Sequence, residues 1–342
     1  MKVDVDALMA GELGQWLAAQ SSMREAAVQK ATNRWVWSAA IAAFPLAWIW
    51  IVVDGEGSWR LVLTAIAAIA VAIWGYVPIG EATKSIKIGI NSAIAQSFGL
   101  SFEHDVESGH EFDAAKTYGL LPSYDRRDLE DNWFGELEGH SFSLYEVHLE
   151  ERRGSGKNRR WVTVFRGALI TMAFGRDFRS TTLLQRAGQH RKWLGLGGKK
   201  DTVRFSGHEL AYVDQVHPAF EDSFDLYSDD AVEARVLAHP AYIEHLVALE
   251  RAFHGDAVRA LFHRGQVIIA VETKRLFESG SIKSHEDRER VEEAAEQFST
   301  LARLALAINQ NERGRALGSA GQDEARTFGA RSALGGGFGR KS

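Results

Sequence analysis

The sequence predicts a membrane α-helical hairpin joined to a cytoplasmic α+β domain built on a mainly antiparallel sheet. Three observations carry that expectation. Two stretches of 19 residues, 35–53 (WVWSAAIAAFPLAWIWIVV) and 61–79 (LVLTAIAAIAVAIWGYVPI), contain no charged residue. The rest of the chain is polar enough to bring the mean hydropathy down to −0.20, too low for a multi-span transporter. From residue 141 onward the pattern turns β-branched and aromatic, and a long helical stripe closes it.

Residues 1–34 read as an N-terminal cytoplasmic helix, with Met9, Leu13, Trp16 and Leu17 at helical spacing. Lying on the membrane, pairing with another helix and simply extending the first span all fit that face. The spans follow at 35–53 and 61–79, each about 28 Å long at the helical rise, against a hydrocarbon core of roughly 30 Å. The competing interpretation, two core helices of a soluble protein, has to explain the tryptophans. Six of the ten (Trp35, Trp37, Trp48, Trp50, Trp59 and Trp74) lie in or beside these stretches, where indole rings serve as membrane-interface anchors.

Arg24, Lys30 and Arg34 precede the first span, Lys84 and Lys87 follow the second, and the connecting turn 54–60 carries one basic residue, Arg60. This bias puts both termini in the cytoplasm and the turn outside. The first apolar stretch starts after 34 residues and runs too long for the core of a cleavable signal. Neither span holds an ionisable residue, so the hairpin is expected to anchor rather than transport. Ala39, Ala43 and Ala47, and Thr64, Ala68 and Ala72, form small-residue stripes. They suit packing within the hairpin or a homo-oligomer through the same faces. Pro45 is expected to kink the first span.

The cytoplasmic domain is placed at 85–310. A helix over 81–98 continues from the second span and stops at Gly99, and residues 101–140 show mixed short helical and loop signals. Strands are expected at 141–150 (SFSLYEVHLE), 161–174 (WVTVFRGALITMAF), around Val203 and Phe205, and ending in FDLYS at 224–228. Asp230 and Glu233 have capping-box spacing ahead of a helix through Ala238, which His239-Pro240 breaks. A second helix carries Tyr242, Leu246, Leu249 and Phe253 on one face. Residues 257–263 and 266–273 flank Arg264-Gly265 as a tight hairpin. A helix over 286–308 closes the domain, with Val291, Ala294, Phe298, Leu301, Ala305 and Ile308 on its core side. The tail 311–342, with eight glycines and six basic residues, lacks the aliphatic bulk to fold and is expected to be disordered.

Chemistry is sparse. No cysteine is present, which excludes disulfides, thiol catalysis and Cys-based metal sites. A formal net charge of −5 gives no reason to expect nucleic acid as a partner. Gly195 to Lys200 looks like a phosphate loop but lacks its spacing and the hydroxyl residue after lysine. There is no Gly-x-Ser-x-Gly, and His208-Glu209 lacks the second histidine of a zinc helix. His104 with His110, and His239 with His245, lie six apart, which does not place both on one helical face. No catalytic residue, cofactor or metal is therefore expected. Two basic loops offer contacts for anionic lipid: Arg152, Arg153, Lys157, Arg159 and Arg160 in one, and Arg186, His190, Arg191, Lys192, Lys199 and Lys200 in the other.

FRGALITMAFGRDF (165–178), FDLYSDDAVEARVLAHPAYIEHLVAL (224–249) and TKRLFES (273–279) resemble an uncharacterised family of bacterial membrane proteins carrying a domain of unknown function after two N-terminal spans. The positions matching its motifs are Phe165, Gly167, Phe224, Tyr227, Ser228, Asp230, Glu233, Ala234, Arg235, Leu276 and Phe277. Leu226 departs from the β-branched residue usual there. The resemblance extends over most of the chain, spans included, and implies a bacterial inner-membrane setting and, since members of that family are often encoded near LemA-type membrane proteins, a shared membrane system. It implies no activity. Residue chemistry gives the same motif a structural reading, with Ser228, Asp229 and Asp230 as helix-capping groups and Arg235 fixing the strand–helix junction.

These features together predict a membrane-anchored interaction or scaffolding module with the bilayer and a protein as partners. The alternative is a domain sensing a lipid or small amphiphile at the inner face, and an enzyme ranks behind both.

Overall fold

The computed structural model describes residues 3–52, 58–137, 139–174, 178–187, 201–214, 224–238, 246–247, 258–273 and 276–308. The turn at 54–57, the glycine loop at 195–200, most of the helix expected after His239 and the tail 311–342 lie outside them. The chain divides into a helical unit, residues 3–94 with 277–295, and a sheet unit, residues 95–276 continuing from 296.

In the helical unit the single N-terminal helix expected from periodicity is three: α1 (Val5–Ala10), α2 (Glu12–Ala19) and the first turns of α3 (Ser21–Ile51). Asp4 caps α1 by accepting from the Ala7 amide at 3.0 Å, and Gly11, non-helical at ψ −149°, separates α1 from α2. Leu13 and Leu17 are buried, and a Cβ on Gly89 would collide with the Trp16 ring. Gly89 belongs to α4 (Trp59–Ser97), so α2 pairs with another helix of the protein.

Buried Arg24, Ala27 and Ala31 show which face α3 turns inward. The Arg24 guanidinium donates to both oxygens of Asp287, at 2.8 and 2.7 Å, with both side chains nearly inaccessible. Arg24 thus belongs to a buried ion pair. The exposed cations flanking the apolar stretches are Lys30 before the first and Lys84 after the second, with Arg34 and Lys87 half-buried.

Beyond residue 35 the burial pattern changes. From there to Gly80 only Ser38, Ala42, Leu46 and Ile49 on α3, and Arg60, Thr64, Ala67, Val71, Gly75, Pro78, Ile79 and Gly80 on α4, are even partly covered among the described residues. Ala39, Ala43, Ala47, Ala68 and Ala72 are exposed, so of the expected small-residue stripes only Thr64 lies in the helix pairing, which otherwise runs one position away. Trp35 sets the approach: its indole donates to the Ala72 carbonyl at 3.2 Å and lies where a Cβ of Gly75 would be. Trp50 donates to Thr64 Oγ1 at 3.3 Å, and the Arg60 guanidinium sits over the Trp50 and Trp59 rings. Trp37, Trp48, Trp50, Trp59 and Trp74 are all at least 43% exposed. Past Gly80, α4 becomes amphipathic, burying Ala82, Ile86, Ile90 and Ile94 at helical spacing.

The sheet unit has ten strands: β1 (Leu100–Asp105), β2 (Arg126–Leu137), β3 (His140–Arg153), β4 (Arg160–Ala173), β5 (Thr182–Arg186), β6 (Thr202–Phe205), β7 (His208–Tyr212), β8 (Phe224–Ser228), β9 (Arg259–His263) and β10 (Gln266–Glu272). Their order is β1-β2-β3-β4-β10-β9-β5-β8-β7-β6, and every described pairing is antiparallel. The expected Arg264-Gly265 hairpin is present, with both residues at positive φ (50° and 75°). Two strands, β1 and β2, occupy the region expected to be mixed.

Both faces of the sheet are covered, so β3 buries neighbouring residues such as Leu144 and Tyr145 on opposite sides. Tyr145, Val147 and Leu149 join Phe165, Leu169, Tyr227 and Ile268 on one side, under α5 (His110–Thr117). On the other, Trp133 stacks on Phe298 at 4.5 Å, and Phe142 meets the same ring edge-on. Phe298 lies in α7 (Asp287–Ile308), whose turns from Glu296 belong to this unit. Between β8 and β9 the described helix is α6 (Ala231–Leu237).

Candidate functional site

The motif residues gather where β8 passes into α6. Asp230 stands at the N-cap and accepts from the Val232 and Glu233 amides at 2.9 and 3.0 Å. Glu233 does not reach back to complete a capping box. Its carboxylate instead accepts from the Arg179 and Ser180 amides at 3.0 and 2.6 Å, holding the segment that enters β5. Asp229 accepts from the Thr181 amide at 2.8 Å, and the Ser228 hydroxyl shares a hydrogen bond with Thr182 Oγ1 at 2.9 Å. Arg235 donates to the Asp214 carbonyl at 3.2 Å rather than to a carboxylate. Burial works against the charge of Glu233, but the donors from Ser180 and Arg179 outweigh it and hold its pKa below the usual carboxylate value.

Each of these polar groups therefore serves the protein's own backbone or a neighbouring hydroxyl. The remaining motif positions have the same character. Phe165, Phe224 and Tyr227 are core residues, and Leu276 is buried. Phe277 is buried at φ 46°. Gly167 sits on β4 where a Cβ would meet the Val271 carbonyl of β10.

A second polar cluster lies at a β-bulge. Register slips between Glu130 and Trp133 of β2, with Asp131 at φ 57°. The extra residue breaks strict alternation, and His104 of β1, Glu130 and Asp131 come to offer ligand atoms within 4.8 Å of one another. His104 Nδ1 is 2.7 Å from Asp131 Oδ1, and Asp131 is fully buried. One nitrogen and two carboxylates are a donor set that divalent ions accept. Sequence spacing gave no reason to join His104 to a second ligand, and its histidine pair His104 with His110 is not brought together here. His110 opens α5, is largely exposed and contacts Gln266 at 3.1 Å, while His239 and His245 lie outside the described residues. The bulge that assembles the cluster has no signature in residue spacing.

Two further groups are electrostatically unusual. Tyr145 is buried and donates to Glu111 Oε1 at 3.1 Å, and desolvation with that carboxylate pushes its pKa up, keeping it a donor. His263 contacts Thr181 Oγ1 at 3.2 Å, and burial, Arg264 and His208 hold its pKa below the usual imidazole value.

In the basic turn between β3 and β4, Arg152, Arg153, Arg159 and Arg160 are exposed, though Arg153 pairs with Glu151 at 2.8 Å. Lys157 lies in its short 3-10 turn. Nearby, the Arg126 guanidinium lies 5.0 Å from the centre of the half-exposed Trp161 ring. Of the second basic loop only Arg186 is described, over the Phe224 ring at 4.9 Å. His190, Arg191, Lys192, Lys199 and Lys200 lie outside the described residues.

A concave surface of about 450 Å³ lies between α3 and α4, lined by Gln29, Lys30, Asn33, Arg34, Trp37 and Trp74 among others. In the sequence Lys30 and Arg34 stand out only as charges ahead of the first apolar stretch.

A family model described as "Protein of unknown function (DUF3137)" matches residues 163–310. That range begins inside β4 and leaves both apolar helices outside, narrower than the resemblance expected from the motifs. No curated protein matches the chain. Among solved structures, the chain is similar to the crystal structure of the mycobacterial trehalose monomycolate transport factor A, TtfA. The two are 10% identical, with 63% of this chain and 95% of that chain covered and a TM-score of 0.29.

Proposed function

We propose that the protein is a membrane-anchored interaction or scaffolding module, its helical hairpin crossing the bacterial inner membrane and its sheet unit in the cytoplasm. One observation carries the reading. Among the described residues, the exposed large apolar side chains fall between Val36 and Val77, apart from Val28, Trp161, Val232 and Val236. Phe44 is 82% exposed and Ile73 64%, values no soluble core helix would show. The surface becomes ordinary where α4 leaves the apolar stretch, which is what a bilayer covering that belt requires. Lys30, Arg34, Lys84 and Lys87 against Arg60 favour cytoplasmic termini.

Scaffolding rather than catalysis is favoured because the densest polar constellation, at β8 and α6, is engaged in holding backbone. A second reading, a lipid- or small-amphiphile-sensing domain, has in its favour the cation-lined concavity between α3 and α4.

The absence of cysteine makes topology directly testable. Ser58→Cys and Ser155→Cys are introduced singly into the full chain, and intact cells are treated with a membrane-impermeant maleimide. Labelling of position 58 but not 155 is expected, and the reverse would overturn the topology. Affinity capture from solubilised membranes addresses scaffolding, and recovery of no stoichiometric partner would count against it.

A further inference from the structure

We propose that the concavity between α3 and α4 binds the phosphate headgroup of an anionic phospholipid from the cytoplasmic leaflet. This rests on the membrane reading above and adds to it a site and a ligand class. Gln29, Lys30, Asn33, Arg34 and Trp37 recur at three- and four-residue spacing, so one face of α3 presents two cations, two carboxamides and an indole together. Trp74 closes the opposite wall from α4, and among the described residues no carboxylate lines the surface.

Arg34 is held in place rather than free. Its Nη1 donates to the Trp74 carbonyl at 3.4 Å, and its guanidinium lies 5.1 Å from the centre of the Trp74 ring. A guanidinium has five N–H donors, so this anchoring leaves a fork that suits phosphate oxygens. Lys30 is exposed one turn away and supplies a second, mobile cation.

Position decides the source of the phosphate. The polar residues at 29–34 end where the uncharged stretch starts at 35, and Trp37 and Trp74 stand inside the apolar belt. A ligand filling the concavity would meet cations at one end and indole at the other, the order of headgroup and acyl chain in a lipid. A soluble phosphate has no use for the apolar end. The turn between β3 and β4 offers positive charge without such a built boundary.

The test is native mass spectrometry of the full chain in detergent, titrated with phosphatidylglycerol, phosphatidylcholine of matched chains, and glycerol 3-phosphate. Phosphatidylglycerol should bind about 30-fold tighter than phosphatidylcholine, two cations contributing about 1 kcal/mol each. Lys30→Gln with Arg34→Gln should abolish that preference, while Lys84→Gln with Lys87→Gln should retain it. Because Arg34 also supports the hairpin, Lys30→Glu alone serves as the second variant, and it should reduce the preference at unchanged melting temperature. Equal binding of the two lipids, equal loss in the Lys84/Lys87 variant, or glycerol 3-phosphate binding as well as the lipid would each overturn the proposal. Carbonate extraction separates the readings. Release of the chain into the soluble fraction defeats the membrane anchor itself, whereas retention without lipid preference defeats only the headgroup site.

Discussion

At the scale of single residues, the recurring motif works as a staple. Asp230→Ala removes the acceptor for two α6 amides and should cost about 1 kcal/mol, read as a lower melting temperature of the full chain. Gly167→Ala forces a methyl group against the Val271 carbonyl, so β4 and β10 must separate, and about 1–3 kcal/mol is expected. The cap at Asp230 was legible from spacing. The partner of Glu233 was not, because the amides it takes come from 179 and 180, more than 50 residues upstream. His263 adds a pH dependence. Its folded pKa lies below the unfolded value of about 6.5, so the unfolded chain binds the proton more readily. Its contribution is complete above that value and is lost as pH falls toward the folded pKa. Melting temperatures from pH 7.5 to 5.5 should therefore fall more steeply for wild type than for His263→Gln, and parallel profiles would discount this residue.

At the scale of elements, legibility followed the uniformity of the pattern. The two apolar helices were plain because nothing interrupts them, yet that same uniformity hid which face pairs. Where every side is apolar, hydropathy cannot choose a stripe, and the choice falls to shape: Trp35 fits over Gly75 and leaves Ala39, Ala43 and Ala47 outside. Strands β1 and β2 escaped notice for the opposite reason. Their sequences, LSFEHD and RRDLEDNWFGEL, are dense in charge, as suits a sheet edge and its neighbour, and a bulge breaks the alternation of β2. The hairpin geometry makes a clean contrast. Gly75→Leu should drive the helices apart and lower thermal resistance in detergent, whereas Ala43→Leu, on the exposed face, should leave it unchanged. Equal effects would mean that the pairing uses the alanine stripe after all.

At the scale of the whole molecule, the helical unit depends on residues that follow the sheet in sequence. Ser279 Oγ donates to Asn91 Oδ1 at 2.7 Å, Gly280 lies where only a glycine clears the Thr83 carbonyl, and Asp287 receives Arg24 across 263 positions of chain. No periodicity links residue 24 to residue 287, so in the sequence Arg24 stands only as a charge ahead of the first apolar stretch. The structure gives it a different consequence. Removing one member of a buried pair leaves the other charge without compensation, a loss of about 3–5 kcal/mol, while replacing both by apolar groups avoids that penalty. Arg24→Met and Asp287→Leu should each lower the melting temperature of the full chain strongly, and the double variant should recover much of the loss. The coupling is read from the double-mutant cycle. Additive losses would mean that the two charges do not stabilise one another.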